Sequence, residues 1–295
     1  GAICASPKTT RHRSMRLLFL WLLLVPVGAA IAAAAQRGIE EVAVAELGPG
    51  TTVEGLAGCE QAFKEAGLAG TFVLYEPGAK RLRGCHLERA MDGYLPASTF
   101  KIPNALIGLE TGAVRDEHEA MAWDGVERRV ASWNRDHDLA SAMRDSAVWY
   151  YQAMARRIGE PRMRHWIGVL EYGNGDIGGR IDAFWLDGRM RISALQQLAF
   201  LTRLRDGSLP MSARSQRIVR ELLVRDQGEG WALHAKTGWA DAPDPDTGWF
   251  VGWVERDGKA QVFALNADLA QAGDGPKREQ VARRLLAGEG LLPKS

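Results

Sequence analysis

Strand-like patterns lie near both ends of the chain and helical patterns fill its middle, which restricts the folds that the chain can adopt. Residues 71–86 hold two apolar runs around Pro77-Gly78, a pattern typical of a β-hairpin. Residues 231–239 alternate as a strand, and residues 247–267 hold two more runs around an Asp-Gly pair that predicts a tight turn. A sheet made from these runs must join two distant parts of the chain.

The middle of the chain, residues 98–228, repeats apolar side chains at three- and four-residue spacing, as amphipathic helices do. A further amphipathic helix is expected over residues 276–292. These patterns predict an α+β fold, in which a mixed or antiparallel sheet from both chain ends carries an inserted helical lobe. We expect one domain over residues 36–295, with the sheet lobe at about 60–97 and 229–292. A cleft between the lobes is the natural place for a binding site.

The segment from Met15 to Ala35 has one arginine, an apolar run and small residues that offer A-x-A cleavage sites, which is typical of a secretory signal peptide. We expect residues 1–35 to be upstream sequence and signal peptide, and the mature protein to be periplasmic or secreted. No stable membrane association is expected after cleavage. A retained anchor is the alternative, although the apolar run is shorter than the roughly 20 residues that a span needs.

The charge balance argues against a nucleic-acid partner. Four basic residues and no acidic residue lie in residues 1–35, so the remainder carries 33 basic against 36 acidic side chains. Nucleic-acid binders usually carry a concentrated basic face, which a mildly acidic chain does not suggest. The composition leaves a monomer and a dimer equally open.

Two cysteines, Cys59 and Cys85, remain after the leader. An oxidising compartment would permit a disulfide between them. Two buried thiols are the alternative, because the sequence does not establish that their Cα atoms lie close together.

Familiar motifs of other functions are either absent or stand in the wrong context. GNGDIG, residues 173–178, matches G-x-G-x-x-G, but no apolar strand precedes it and no clear helix opens from it, so we interpret it as a loop. The histidines have no H-E-x-x-H or C-x-x-C partnership, which gives little support to a zinc site. The lack of a G-x-S-x-G motif argues against an α/β-hydrolase triad. We therefore expect no metal and no organic cofactor.

Ser98 stands three positions before Lys101, and Pro103 follows closely. Because proline fits the first turn of a helix, a regular helix should begin near Ile102 and be preceded by a tighter turn. Residues i and i+3 of a 3₁₀ turn eclipse each other, so the hydroxyl and the amine can meet. Burial and the helix dipole would favour a neutral amine, able to act as a base or to form a carbamate with CO₂. Taken alone, S-x-x-K also fits a serine N-cap followed by a surface lysine.

Three more short motifs follow in order: Ser146-Ala147-Val148, Tyr172-Gly173-Asn174 and Lys236-Thr237-Gly238-Trp239. Together with PASTFKIPN around Ser98, they resemble the penicillin-recognising serine enzymes, and within these the class D, oxacillinase-type β-lactamases. The resemblance extends from about Gly70 to Leu292. It implies a β-lactamase/transpeptidase-like fold, hydrolysis of β-lactam antibiotics and β-lactam resistance. Class A enzymes differ, because they use S-D-N and a separate glutamate that activates water.

The resemblance implies a role for each catalytic position. Ser98 would be the acylated nucleophile, and Lys101, carboxylated by CO₂ or bicarbonate, would be the general base. Ser146 would shuttle a proton to the β-lactam nitrogen. Trp185 would hydrogen-bond and shelter the carbamate. The walls of the carbamate pocket are implied to be Val148 and Leu186.

The resemblance also implies how the substrate is held. Four positions would bind the substrate: Lys236, Thr237 and Gly238 of the Lys-Thr-Gly-Trp motif, and Arg278 near the C-terminus. The lysine and the threonine would attract the substrate carboxylate, helped by the arginine. Backbone N–H groups of Ser98 and Trp239 would form the oxyanion hole. Tyr172 and Asn174 would shape the rim of the cleft.

Each role has a structural alternative. These alternatives are a helix N-cap for Ser146, a core aromatic for Trp185, a strand-edge charge for Lys236, and an ion pair of Arg278 with Glu279 or Glu221. Rival functions with the same motifs are a β-lactam sensor that acylates and stops, a peptidoglycan transpeptidase or carboxypeptidase, and an inactive structural protein. The ordered set of motifs favours the β-lactamase.

Overall fold

The computed structural model describes residues 27–294, with side chains from residue 32 onward. Residues 15–26 of the predicted signal peptide lie outside the described residues. The chain divides into two units after Gln36, and the fold given below is that of the unit which begins at Arg37. Helix α1, Val27–Leu47, crosses this boundary. Among the described helices, none is long and apolar enough to span a membrane.

The elements follow the order that the sequence patterns predict, with strands at both ends and helices between them. The strands are β1 Thr52–Gly55, β2 Gly70–Glu76, β3 Arg81–Cys85, β4 Val224–Gly228, β5 Trp231–Ala240, β6 Asp246–Arg256 and β7 Lys259–Leu269. The helices after α1 are α2 Cys59–Ala66, α3 Leu87–Met91, α4 Lys101–Glu110, α5 Leu139–Asp145, α6 Val148–Ile158, α7 Glu160–Leu170, α8 Ala194–Arg205, α9 Ala213–Leu222 and α10 Asp274–Gly288. The predicted α+β class is confirmed.

The described strands form one seven-stranded mixed sheet in the order β1-β3-β2-β7-β6-β5-β4. Strand β1 pairs with β3 in parallel, and the other pairs are antiparallel. The central pair joins the two chain ends, because β2 lies beside β7 with Phe72 opposite Leu265. A sheet from both chain ends, as the sequence predicts, is therefore confirmed.

Both predicted hairpins are present. Strands β2 and β3 are joined through a 3₁₀ turn at Pro77–Ala79. The β6–β7 turn consists of Asp257 and Gly258, with φ of 51° and 75°. Two-residue hairpin loops that match the twist of the strands require positive φ at both positions, and Asp-Gly supplies it.

Two short strands differ from the predicted lobes. Strand β4, Val224–Gly228, lies within residues 98–228, which the sequence predicts as helical, and β1 precedes the predicted start of the sheet lobe near residue 60. The side chains of β4 are all exposed, so its sequence VRDQG has no apolar alternation to mark it. Pairing with β5, rather than burial, makes this segment a strand.

Alternate side chains of the sheet enter two cores, one on each face. Val73 belongs to the larger core, which the helices between the two groups of strands share. Phe72 and Leu74 belong to the smaller core, packed with residues of α2 and α10. The larger core holds the inserted helices against the sheet.

A disulfide joins Cys59, at the start of α2, to Cys85, at the end of β3, with a Cα–Cα distance of 5.9 Å. Of the two possibilities that the sequence leaves open, the structure has the disulfide and not two buried thiols. Residues 173–178, which carry GNGDIG, form a loop after α7, as predicted.

Candidate active site

Ser98 lies at the entry to the inserted helices. A 3₁₀ turn spans Ala97–Phe100, and α4 begins directly after it at Lys101, close to the start that Pro103 predicts. The turn brings Lys101 Nζ to 2.7 Å from Ser98 Oγ. Ser98 is only partly buried, so its hydroxyl remains accessible. The hydroxyl and the amine therefore meet, as the three-residue spacing predicts.

The amine of Lys101 is removed from solvent. The residue is 0% exposed, and Nζ lies 5.3 Å from the centre of the Tyr151 ring. Desolvation, followed by the positive charge of Lys236, holds the pKa of Lys101 well below its ordinary value. A neutral amine can accept the proton of a neighbouring hydroxyl, which an ammonium cannot do.

Trp185 contacts the same turn through its backbone and its ring. Its carbonyl accepts a hydrogen bond from Ala97 N at 3.0 Å, and its ring stacks on Phe100 at 5.1 Å. The buried indole Nε1–H has no hydrogen-bond partner among the described residues. A buried donor without an acceptor is costly. This buried N–H is therefore available to hydrogen-bond a group bound at the site.

A second Ser–Lys pair comes from different elements. Ser146 ends α5 in the left-handed conformation, with φ 56°, so it is not a helix N-cap. Its Oγ lies 3.0 Å from Nζ of Lys236, which also donates to Thr237 O at 3.0 Å. Burial, then the charges of Arg225 and Arg278, lower the pKa of Lys236 to about 7. Lys236 is 5% exposed on an interior strand, so the edge-charge alternative is wrong.

Strand β5 approaches the nucleophile turn at Gly238. A Cβ at this position would lie 3.1 Å from Pro96 O and 3.1 Å from Thr99 Cγ2. A larger residue would therefore push the strand and the turn apart. The glycine allows the sheet to place the Lys236–Trp239 segment beside the turn that carries Ser98.

Arg278 extends from α10 toward the same end of β5. Its Nε donates to Trp249 O at 3.1 Å, and its Nη1 donates to Gly275 O. Burial lowers the pKa of Arg278 to about 10, so the guanidinium stays charged at neutral pH. The two carboxylates considered as alternative partners pair with other arginines: Glu279 with Arg225, and Glu221 with Arg217.

The predicted place of Tyr172 at the rim is wrong. The residue is 1% exposed, and its ring packs edge-on against Phe100 at 5.7 Å and Phe200 at 5.0 Å. Asn174 is exposed, and its Nδ2 donates to Arg189 O at 3.0 Å, which stabilises the loop. Tyr172 thus supports the nucleophile turn through the aromatic core instead of facing solvent.

Three further assignments stay predictions. Val148, the first residue of α6, and Leu186, which follows Trp185, are both partly buried. Their role as pocket walls rests on the resemblance. The same holds for the oxyanion hole at the backbone N–H groups of Ser98 and Trp239.

Sequence reasoning missed three polar contacts around the site. Gln197 Nε2 donates to Thr99 Oγ1 at 3.0 Å, and Thr99 Oγ1 donates to Pro96 O at 2.7 Å, which stabilises the nucleophile turn. Gln197 stands at a position of α8 where the helical pattern predicts an apolar residue, and this exception could have marked it in the sequence. Trp239 Nε1 donates to Asp246 Oδ2 at 2.6 Å, and no pattern marks Asp246 among the neighbouring loop acids.

These residues bring an accessible hydroxyl, a buried amine, a second Ser–Lys pair and a fixed guanidinium to one region. Such a set can bind an anionic substrate and transfer its acyl group to serine. In the part of the chain that the structure describes, no group of three or more His, Cys, Asp or Glu side chains could hold a metal ion.

Comparisons with known proteins agree with this chemistry. The model of the penicillin binding protein transpeptidase domain matches residues 79–287. Beta-lactamase OXA-48 of Klebsiella pneumoniae is 43% identical over 231 residues, which cover 78% of this chain and 87% of that protein. Probable beta-lactamase YbxI of Bacillus subtilis (strain 168) is 43% identical over 223 residues, or 76% and 82% of the two chains.

Solved structures are similar as well. The class D β-lactamase YbXI from Nostoc superposes with a TM-score of 0.78 at 38% identity, covering 79% of this chain and 99% of that chain. FUS-1 (OXA-85), a class D β-lactamase from Fusobacterium nucleatum subsp. polymorphum, superposes with a TM-score of 0.77 at 37% identity, covering 79% and 98%.

Proposed function

The chain belongs to the class D β-lactamases, and from this premise we propose which of its residues carry out each part of β-lactam hydrolysis. Enzymes of this class hydrolyse β-lactam antibiotics through a serine acyl-enzyme, and this protein does so and confers β-lactam resistance. The observation that carries the residue assignment is the buried Lys101 amine, 2.7 Å from Ser98 Oγ.

In acylation, Ser98 Oγ attacks the β-lactam carbonyl carbon and gives up its proton to the base at position 101. The C–N bond of the ring then breaks, and Ser146 passes a proton to the departing nitrogen. The contact of Ser146 with Lys236 supports this role, because the lysine can replace the proton that the serine gives. The product is an ester on Ser98, which water later hydrolyses.

The substrate carboxylate is bound by Lys236 and Thr237 on β5 and by Arg278 on α10, and the lysine and the arginine supply the positive charge. Backbone N–H groups of Ser98 and Trp239 stabilise the negative charge that develops on the carbonyl oxygen. The loss of one such donor typically costs on the order of 10²- to 10³-fold in rate, so these groups carry much of the catalysis.

We propose that Lys101 is used in its carboxylated form. Lys101 Nζ would hold the CO₂ as a carbamate, whose two oxygens would be able to accept a proton. Two features of the chain favour it: the low pKa of Lys101, which leaves the amine free to react, and the unpartnered indole N–H of Trp185, which would hold the added oxygen. Val148 and Leu186 would shield this group from solvent.

We also propose that the protein is exported to the periplasm or secreted. The apolar leader supports this location, and so does the Cys59–Cys85 disulfide, since disulfides persist in oxidising compartments.

Intact-protein mass spectrometry during turnover of benzylpenicillin tests the assignment. The parent should show one transient penicilloyl adduct that disappears as the substrate is consumed. Ser98→Ala should show no adduct. Ser208→Ala is the control, because this exposed serine is distant in sequence from the motifs of the site, and it should behave as the parent. An adduct on Ser98→Ala would refute the nucleophile, and a parent adduct that persists without turnover would favour a sensor.

A further inference from the structure

Trp239 has an unusual environment for a large apolar side chain. It is 44% exposed, one of four large apolar residues that are exposed in the described part of the chain. Its indole nevertheless contacts two charged side chains, Asp246 and Arg278. Nε1 donates to Asp246 Oδ2 at 2.6 Å, and the Arg278 guanidinium carbon lies 5.4 Å from the ring centre.

Helix α10 is shaped to receive this ring. A Cβ added at Gly275 would lie 2.5 Å from Trp239 Cζ3 and 3.3 Å from Arg278 Nη1. Real Cβ atoms do not approach other atoms to 2.5 Å, so a side chain at this position would displace the indole. Gly275 O also accepts a hydrogen bond from Arg278. One backbone position therefore contacts both the ring and the guanidinium.

The three contacts act on the same cation. Arg278 is anchored by two backbone carbonyls on one side and by the face of the indole on another. A guanidinium over an aromatic face is attracted to the ring, and this attraction depends on the orientation of the ring. The bond from Nε1 to Asp246 fixes the orientation of the ring, because it ties one edge of the indole to the first residue of β6.

We propose that Asp246 is a positioning residue for substrate binding: its bond to Trp239 fixes the indole as the support on which Arg278 is presented to the substrate carboxylate. This inference rests on the proposed function, in which Arg278 binds that carboxylate. Asp246 itself touches no reacting atom.

The kinetic signature follows from where the carboxylate lies. The carboxylate does not react, so its contact with Arg278 is equally strong in the bound substrate and in the transition state. The loss of such uniform binding raises KM and leaves kcat unchanged. A purely structural defect in β5 would instead displace Lys236 and the Trp239 N–H, and would lower kcat.

The test begins with Asp246→Ala and the acid benzylpenicillin. We expect KM to rise about fivefold at unchanged kcat, as the loss of one hydrogen bond of ordinary strength would produce. Asp246→Asn keeps an acceptor oxygen and should stay within about twofold of the parent. Asp241→Ala is the matched control, because it removes a neighbouring loop carboxylate that has no bond to Trp239.

A double-mutant cycle then tests the bond itself. Trp239→Phe removes the donor and keeps an aromatic ring, so it should also raise KM about fivefold. The double variant with Asp246→Ala should show about fivefold again, instead of the about 25-fold expected of independent sites. Gly275→Ala should reproduce the increase in KM by displacing the ring. Gly288→Ala, in the same helix but with open space around an added Cβ, should not.

The methyl ester of benzylpenicillin separates the route through Arg278 from other contacts. The ester has no negative charge, so Asp246→Ala should leave its kcat/KM unchanged. An equal loss for acid and ester would overturn the role of Arg278, and equal KM values for Asp246→Ala and Asp241→Ala would overturn the role of Asp246. If Ser98 of the parent still forms the penicilloyl adduct, either outcome refutes this inference alone, whereas absence of the adduct refutes the proposed function.

Discussion

Replacing Trp185 with phenylalanine removes one N–H group and leaves an aromatic ring against Phe100. The indole Nε1–H is buried and has no hydrogen-bond partner among the described residues, so the parent protein holds a donor without an acceptor. Carboxylation of Lys101 would supply that acceptor. We therefore expect Trp185→Phe to weaken the binding of CO₂ specifically, because only the carboxylated form uses the lost donor.

The expected size follows from the charge of the acceptor. A hydrogen bond to a charged group contributes about 1.5–3 kcal/mol, which corresponds to about 10- to 150-fold in affinity. The bicarbonate concentration that gives half-maximal hydrolysis of nitrocefin should rise by that factor. Saturating bicarbonate should restore most of the activity, since the variant keeps Ser98, Lys101 and the substrate-binding residues.

A second readout does not depend on activity. Bicarbonate should raise the melting temperature of the parent, because a ligand that binds only the folded state stabilises it. At the same bicarbonate concentration, the increase should be smaller for Trp185→Phe. Trp253→Phe is the matched control, since its buried indole already donates to Glu255 Oε1 at 3.0 Å. It should lose stability but keep the parental bicarbonate dependence.

An unchanged half-maximal bicarbonate concentration in Trp185→Phe would refute the reasoning. The buried N–H would then have no part in holding the carbamate. Loss of activity that saturating bicarbonate does not restore would also contradict it, because the variant would then be defective in a step other than CO₂ binding.

Of four further predictions, two concern the charge of Lys236, one the disulfide and one packing. Lys236 has a pKa of about 7, so kcat/KM for benzylpenicillin should fall as pH rises through that value, and Arg225→Met should move the fall to higher pH by removing a charge that lowers this pKa. Because unfolded Lys236 stays protonated to about pH 10, the free energy of unfolding should rise between pH 7 and about 10, and Lys236→Met should reduce that rise. The double variant Cys59→Ser, Cys85→Ser opens a link between residues 26 positions apart, and urea unfolding should show a loss of about 3–4 kcal/mol, whereas an unchanged midpoint would contradict a stabilising cross-link. Gly238→Ala should lower kcat about tenfold by displacing β5 from the nucleophile turn. A parental kcat would contradict this prediction, because it would show that β5 and the turn accommodate the added methyl group.

Contacts made within a short segment could be predicted from the sequence. The Ser98–Lys101 contact depends on three-residue spacing and a proline, and the β6–β7 turn depends on Asp-Gly. The Ser146–Lys236 contact spans 90 positions, and only the resemblance to a known family placed both residues in one site. No spacing rule connects α5 to β5, because their distance depends on how the helical lobe packs on the sheet.

The errors have physical causes of the same kind. Tyr172 was expected at the rim because the resemblance implies that the Tyr172-Gly173-Asn174 motif shapes the cleft. Its ring is buried because Phe100 and Phe200 offer it an aromatic core, and that core forms only in the folded chain. The support of Trp239 by Asp246 and Gly275 was equally hidden, since β5, β6 and α10 meet there from separate parts of the sequence.

The two lysines of the site are coupled through their charges. Lys236 is one cause of the low pKa of Lys101, and Arg225 and Arg278 in turn lower the pKa of Lys236. Lys236, which is proposed to attract the substrate carboxylate, therefore also disfavours an ammonium at position 101. When the carboxylate binds, its negative charge should raise the pKa of Lys236 and keep that lysine protonated. Substrate binding thus preserves a charge that, after burial, lowers the pKa of Lys101, which links recognition of the substrate to the reactivity of the amine.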